Sequence, residues 1–149
     1  FRSWKAGDVI VSEVVASEVR PSPEGLVELL AGLVGRWAPR AVVMDSYSLK
    51  AVGAELKLRG VPVVLASLAD VASASALFYS RVQRKGIVHP GDPLLSVQLP
   101  GARRKNIGGS EGFRVTRADG SLGIDAVVST LLGTYFAETL PELAPQLFV

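Results

Sequence analysis

Two aspartates stand where a carboxylate could do chemistry. Asp45 closes the apolar run Ala41-Val42-Val43-Met44 and is followed by Ser46-Tyr47-Ser48 and a helical pattern. A run that short, apolar at every position, reads as a strand buried on both faces, as in parallel sheets covered by helices. The carboxyl edge of such a sheet is where ligands collect, so an acid there is a candidate site residue. It is equally well placed to cap the helix that follows, since Asp and Ser are both preferred caps. Asp125 stands in the first turn of the last helical pattern, bordering its apolar stripe, where the helix dipole favours any carboxylate. A strand-terminal Asp45 and an Asp125 entering a helix on the same sheet could converge. Hard oxygen ligands without Cys or a His cluster suit Mg²⁺ or Mn²⁺.

A second chemistry is carried by Arg103-Arg104-Lys105, three adjacent cations inside a stretch (101–110) without apolar periodicity. That stretch reads as a long loop, and long loops in compact domains are usually functional. The cations are either a solvated loop or phosphate contacts, which position a duplex without reading its sequence. His89, in the turn cluster His-Pro-Gly-Asp-Pro, is open to a structural role or to one as metal ligand or general base.

Composition sets the limits around these residues. A chain of 149 residues is one domain by size and long enough for a proper core. Every apolar stretch is broken well short of the roughly 20 residues that span a bilayer, so no membrane anchor is expected. Without cysteine there is no disulfide or thiolate metal site, which suits an intracellular protein. A net charge of +2 permits nucleic-acid binding without demanding it. No Gly-x-x-x-x-Gly-Lys-Ser/Thr loop occurs, so no nucleotide-driven motor is expected in this chain. The start at Phe1, with no methionine or signal-peptide pattern, suggests an excerpt of a longer polypeptide.

The elements that must position the aspartates follow in order. Residues 8–15 read as a strand, with residues 2–5 in a preceding edge strand. Ser22, Pro23 and Glu24 start a helix that reaches about Trp37, with Leu26, Val27, Leu30, Leu33, Val34 and Trp37 on one face and Pro39 as its stop. After Asp45, a helix over 48–59 turns Leu49, Val52 and Leu56 inward and closes at Gly60. A strand over 61–66, a helix over 70–85 ending at Gly86 and a short helix over 94–99 come next. A short strand over 113–116 precedes a last helix from near Leu122, whose stripe is Ile124, Val127, Val128, Leu131, Leu132 and Tyr135 and whose stop is Pro141. Residues 143–149 fit no clear pattern. Strands alternating with helices imply an α/β domain with parallel strands and right-handed crossovers.

Several pieces, in this order, resemble the nuclease domain of tailed-phage terminase large subunits. They are Val43-Met-Asp45-Ser-Tyr, a helix ending in Leu-Arg-Gly60, Val-Pro-Val-Val, a long helix to Lys85-Gly86, Ile-Val-His-Pro-Gly-Asp-Pro-Leu-Leu95 and Gly-Ile-Asp-Ala-Val-Val128. The likeness runs from about Trp4 to Glu138. It implies an RNase H-like fold, a mixed central sheet with helices on both faces. It also implies a metal-dependent endonuclease that cuts double-stranded viral DNA during packaging, with two Mg²⁺ or Mn²⁺ ions. Asp45 matches the acid at the end of the strand after the first long helix, and Asp125 the acid of the family's Ile-Asp-Ala motif. Both would be catalytic metal ligands. The portal and the small terminase subunit would be partners, in the host cytoplasm. The family's first metal-binding aspartate sits on a strand with no counterpart here. It is therefore expected upstream of Phe1, with the ATPase domain; otherwise Glu13, Asp92 or Asp119 would substitute. The rival from another class is a non-enzymatic α/β binding or assembly domain, in which both aspartates are caps and the basic stretch recruits a partner.

Overall fold

The structure, a computed structural model, describes residues 1–13, 22–108, 112–120 and 123–141. In chain order its elements are β1 (Arg2–Ala6), β2 (Val9–Glu13), α1 (Pro23–Trp37), β3 (Val42–Asp45), α2 (Lys50–Leu58) and β4 (Val63–Ala66). They continue with α3 (Leu68–Gln83), β5 (Ile87–Val88), α4 (Pro93–Gln98), a 3₁₀ turn (Leu99–Gly101), β6 (Ala102–Asn106), β7 (Phe113–Arg117) and α5 (Asp125–Thr139). The expected α/β class is borne out. Among the described residues no helix is long and apolar enough to cross a membrane.

The chain divides into two compact units, one of Phe1–Ser17 with Leu68–Thr139 and one of Glu18–Ser67 with Leu140–Val149. The second unit holds Asp45. Its α1 starts as its sequence dictates: the Ser22 hydroxyl accepts from the Gly25 amide at 3.1 Å, Pro23 opens the helix and Glu24 lies in the positive first turn. β3 and β4 pair in parallel, with Met44 opposite Leu65 and Asp45 opposite Ala66. Val27, Met44, Val52, Leu56 and Val61 form the core between helices and strands. β3 is less enclosed than a strand covered on both faces: Met44 is buried, whereas Val42, Val43 and Asp45 are half-buried. Gly53 lets α2 lie close on this pair, since a Cβ there would come within 2.8 Å of Leu65 Cδ2.

The first unit is built around α5. Its sheet is mixed: β1 pairs antiparallel with β2, and β2 pairs parallel with β5. α5 is buried nearly all round rather than along one stripe. Ala126, Val127, Thr130, Leu131, Leu132, Thr134, Phe136 and Ala137 are all enclosed. The two buried threonines need no outside partner, because their hydroxyls donate at 2.8 Å to the carbonyls one turn back, Ala126 and Thr130. A bidentate pair from Arg81 to Glu138 ties α3 to the end of α5, and the same guanidinium donates to the Asp8 carbonyl. Val82, near the C-terminal end of α3, is half exposed at 53%.

The stretch expected as a loop over 101–110 is instead mostly strand. β6 and β7 form an antiparallel ribbon, with Arg103 opposite Thr116, Arg104 opposite Val115 and Lys105 opposite Arg114. Every residue from Arg103 to Asn106 is exposed, so β6 has no apolar alternation to betray it. The ribbon is anchored through β7, whose Val115 amide donates to Ser75 Oγ on α3 at 3.0 Å. Residues 14–15 of the first expected long strand, 109–110 of the expected loop, Leu122 and the tail 143–149 lie outside the described residues.

Candidate active site

Asp45 ends a parallel strand, and the turn after it is built on its own carboxylate. Asp45 Oδ2 accepts from the Ser48 amide at 3.0 Å and from the Ser48 hydroxyl at 2.7 Å. Partial burial pushes the Asp45 carboxyl up. The Ser48 hydroxyl and the amides of Ser48 and Tyr47 outweigh it and hold the group below the usual carboxylate range. These bonds stabilise the charged form, which is the form that binds a cation. They also bear out the expectation of a cap in part: the carboxylate closes the turn before α2, although Leu49 is the residue at the helix N-cap and makes no side-chain cap bond. Beside it Tyr47 is 95% exposed.

Asp125 opens α5 on the exposed side of its first turn, next to buried Ala126 and Val127. It is not the residue that caps this helix. The Ala126 amide donates to Gln98 Oε1 at 2.7 Å, so α4 satisfies the first turn. The carboxylate folds back over Gly123, where a Cβ would lie 2.9 Å from Asp125 Oδ2. Gly123 therefore leaves the space the carboxylate occupies. Ser48, Gln98 and Gly123 were not singled out by sequence reasoning. Ser48 had a signal, a hydroxyl three residues after an acid at a strand end; Gly123 had one as well, a glycine two residues before a helix-opening acid. Gln98 had none.

Asp45 belongs to the second unit and Asp125 to the first. Among the described residues no group of three or more His, Asp or Glu stands together as a metal set. The in-chain substitutes considered for a third ligand are otherwise engaged: Glu13 pairs with Arg2, and Asp92 caps α4 by accepting from the Leu94 and Leu95 amides at 2.8 and 3.2 Å. Asp119 lies exposed in the Asp119-Gly120 turn. His89 is exposed, and its Nδ1 accepts from the Gly91 amide at 3.1 Å, which gives the residue a turn-forming role. The carboxylate oxygens of Asp45 and Asp125 fit Mg²⁺ or Mn²⁺ in kind, and two of them fall short in number of a two-metal set.

The ribbon divides the basic run by strand alternation. Arg103 and Lys105 lie on one face and Arg104 on the other, where its guanidinium sits 4.0 Å from the centroid of the buried Phe113 ring. Arg103 Nη1 donates to the carbonyls of Pro100 and Ala102 at 2.8 and 3.0 Å.

No family model and no curated protein matches the chain. Two solved structures share its fold. The large terminase of bacteriophage HK97 is 14% identical with a TM-score of 0.62, over 76% of this chain and 24% of that one. The large terminase nuclease of the thermophilic phage G20c, a structure with bound cobalt, is 19% identical with a TM-score of 0.58, over 76% of this chain and 61% of that one. The chain thus spans about a quarter of the first and three fifths of the second. At these identities what is held in common is the fold: this chain has the α/β architecture of phage large-terminase nucleases, the family its motifs resemble.

Proposed function

We propose that the chain is an endonuclease domain that hydrolyses phosphodiester bonds in double-stranded DNA during viral genome packaging, in which Asp45 and Asp125 each serve as a carboxylate ligand for divalent metal, Mg²⁺ or Mn²⁺. The observation that carries this reading is the Asp45 turn. A carboxylate at the carboxyl end of a parallel strand is kept ionised by three donors, in a chain with the fold of large-terminase nucleases. When bound, the metal would supply an acidified water and neutralise charge on the phosphate oxygens. The chain's own part is to hold carboxylates in place. Ser48 fixes the orientation of Asp45, and Gly123 leaves Asp125 its position over the start of α5. Arg103 and Lys105 contact DNA phosphates. The portal and the small terminase subunit as partners, and the host cytoplasm as location, follow from the same reading.

The capping bonds of Asp45 also favour a second reading, an assembly domain in which that carboxylate is purely structural. Asn in its place keeps an acceptor for Ser48 but loses the negative charge that holds a cation. The test is cleavage of linear duplex DNA across Mn²⁺ concentrations. Asp45→Asn and Asp125→Asn each abolish metal-dependent cleavage while circular dichroism and thermal unfolding stay near those of the parent. Cleavage at the parent rate by either variant removes that residue from the site, and loss of folding in both supports the structural reading.

A further inference from the structure

The β6–β7 ribbon has two chemically different faces. Cross-strand partners lie on the same side of an antiparallel ladder, so Arg103, Lys105, Arg114 and Thr116 share one face, and Ala102, Arg104, Asn106, Phe113, Val115 and Arg117 share the other. The second is the core face: Phe113 is buried, and Ala102 and Val115 pack against Leu95, Ala126 and Val127. The first face is the outer one and carries three cations, Arg103 and Lys105 exposed and Arg114 half-buried, while the exposed Arg104 and Arg117 lie at the margin of the other. Lys105 and Arg114 are directly opposite in a register where Cα atoms are about 5.5 Å apart, and Arg103 lies about 7 Å along the strand from Lys105. Among the described residues none of the three forms an ion pair with a carboxylate.

Like charges placed directly across a ladder destabilise it. Basic residues on an exposed edge strand have an ordinary use, since they discourage edge-to-edge pairing. That use accounts for Arg103 and Lys105 on β6. It does not account for Arg114, which is on β7, the strand whose far side is bonded to Ser75 of α3 and which has no free edge there to guard. Local packing gives no return for the Lys105–Arg114 repulsion, whereas a polyanion does. The ribbon's core face also meets the first turn of α5, the turn that carries Asp125.

We propose that Arg103, Lys105 and Arg114 form one phosphate-binding face that grips the backbone of duplex DNA, and that Arg104 belongs to the ribbon's core face instead. The inference rests on the nuclease reading and deepens it. It adds a residue outside the contiguous basic run and removes one from inside it. Contacts of this kind are independent of sequence and hold the duplex in register.

The test is fluorescence anisotropy with duplex DNA in a metal-free buffer at several salt concentrations. Arg103→Ala, Lys105→Ala and Arg114→Ala each weaken binding alike for unrelated sequences, and each makes the slope of log affinity against log salt shallower by about 0.9. Arg104→Ala leaves that slope unchanged and lowers the melting temperature slightly. Lys105→Glu gives the sharpest contrast, because it turns the repulsive pair with Arg114 into an attractive one. Its melting temperature rises by about 1–4 °C while DNA affinity falls. A purely structural role would move both the same way, and a melting temperature that falls with affinity overturns the proposal. So does an Arg104→Ala slope change equal to the others. Unchanged slopes in all three outer-face variants, with Mn²⁺-dependent cleavage retained, overturn this inference and leave the nuclease reading standing. A parent protein that binds no duplex DNA even at low salt overturns both.

Discussion

Asp45 shows how one side chain can serve a turn and remain available to a cation. Its folded carboxyl lies below the ordinary value of about 3.9, so the bonds from Ser48 contribute stability that is fully present above that value. This stability is lost as the pH falls through the lowered folded value. Acid should therefore loosen the turn between β3 and α2 in the metal-free protein only below the ordinary carboxylate range. Ser48→Ala removes the hydroxyl donor and should move the Asp45 carboxyl back up towards the ordinary value. The carboxyl carbon shift followed by NMR from neutral to acidic pH reads this directly; an Asp45 titration unaltered by the substitution would mean that the backbone amides alone set it. The position of Asp45 was legible in sequence because an apolar run stopped on it. Its two-bond lock by Ser48 was not singled out, and neither was the space above Gly123 that Asp125 fills, because each depends on how a turn folds back on itself.

The elements differ in how openly they declare themselves. α1 was readable to its first residue, because Ser22, Pro23 and Glu24 each suit one position of a helix start through local chemistry alone. α5 is legible as a helix but not in its packing. With apolar residues on every side and Thr130 and Thr134 satisfied internally, its sequence suggests a stripe where the fold provides an enclosure. The left-handed residue after α3 is Lys85, φ 55°, and not Gly86, which instead lies against Arg81, whose Cδ would be 3.0 Å from an added Cβ. β6 was missed altogether. A charged edge strand has no period-two apolar signal, and only its pairing with β7 makes it a strand. Gly53→Val should cost about 1–3 kcal/mol in urea unfolding, because α2 must retreat from Leu65, Val63 and Met44. A change below about 0.5 kcal/mol would show that the helix does not rest on that pair as tightly as described.

For the molecule as a whole, the order of strands and helices was enough to indicate the α/β class and the family whose fold is held in common, while the division into two compact units left no trace in composition. That Asp45 and Asp125 are metal ligands is most directly tested by titrating Mn²⁺ into the ¹⁵N-labelled protein. The paramagnetic ion broadens amide resonances near wherever it binds. Selective broadening is expected at residues 46–48 and 123–127 at low ion concentration. The first should be lost in Asp45→Asn and the second in Asp125→Asn, each with the remaining spectrum preserved. Broadening that spreads over the exposed acidic residues without preference, or that persists at both turns in both variants, would contradict it.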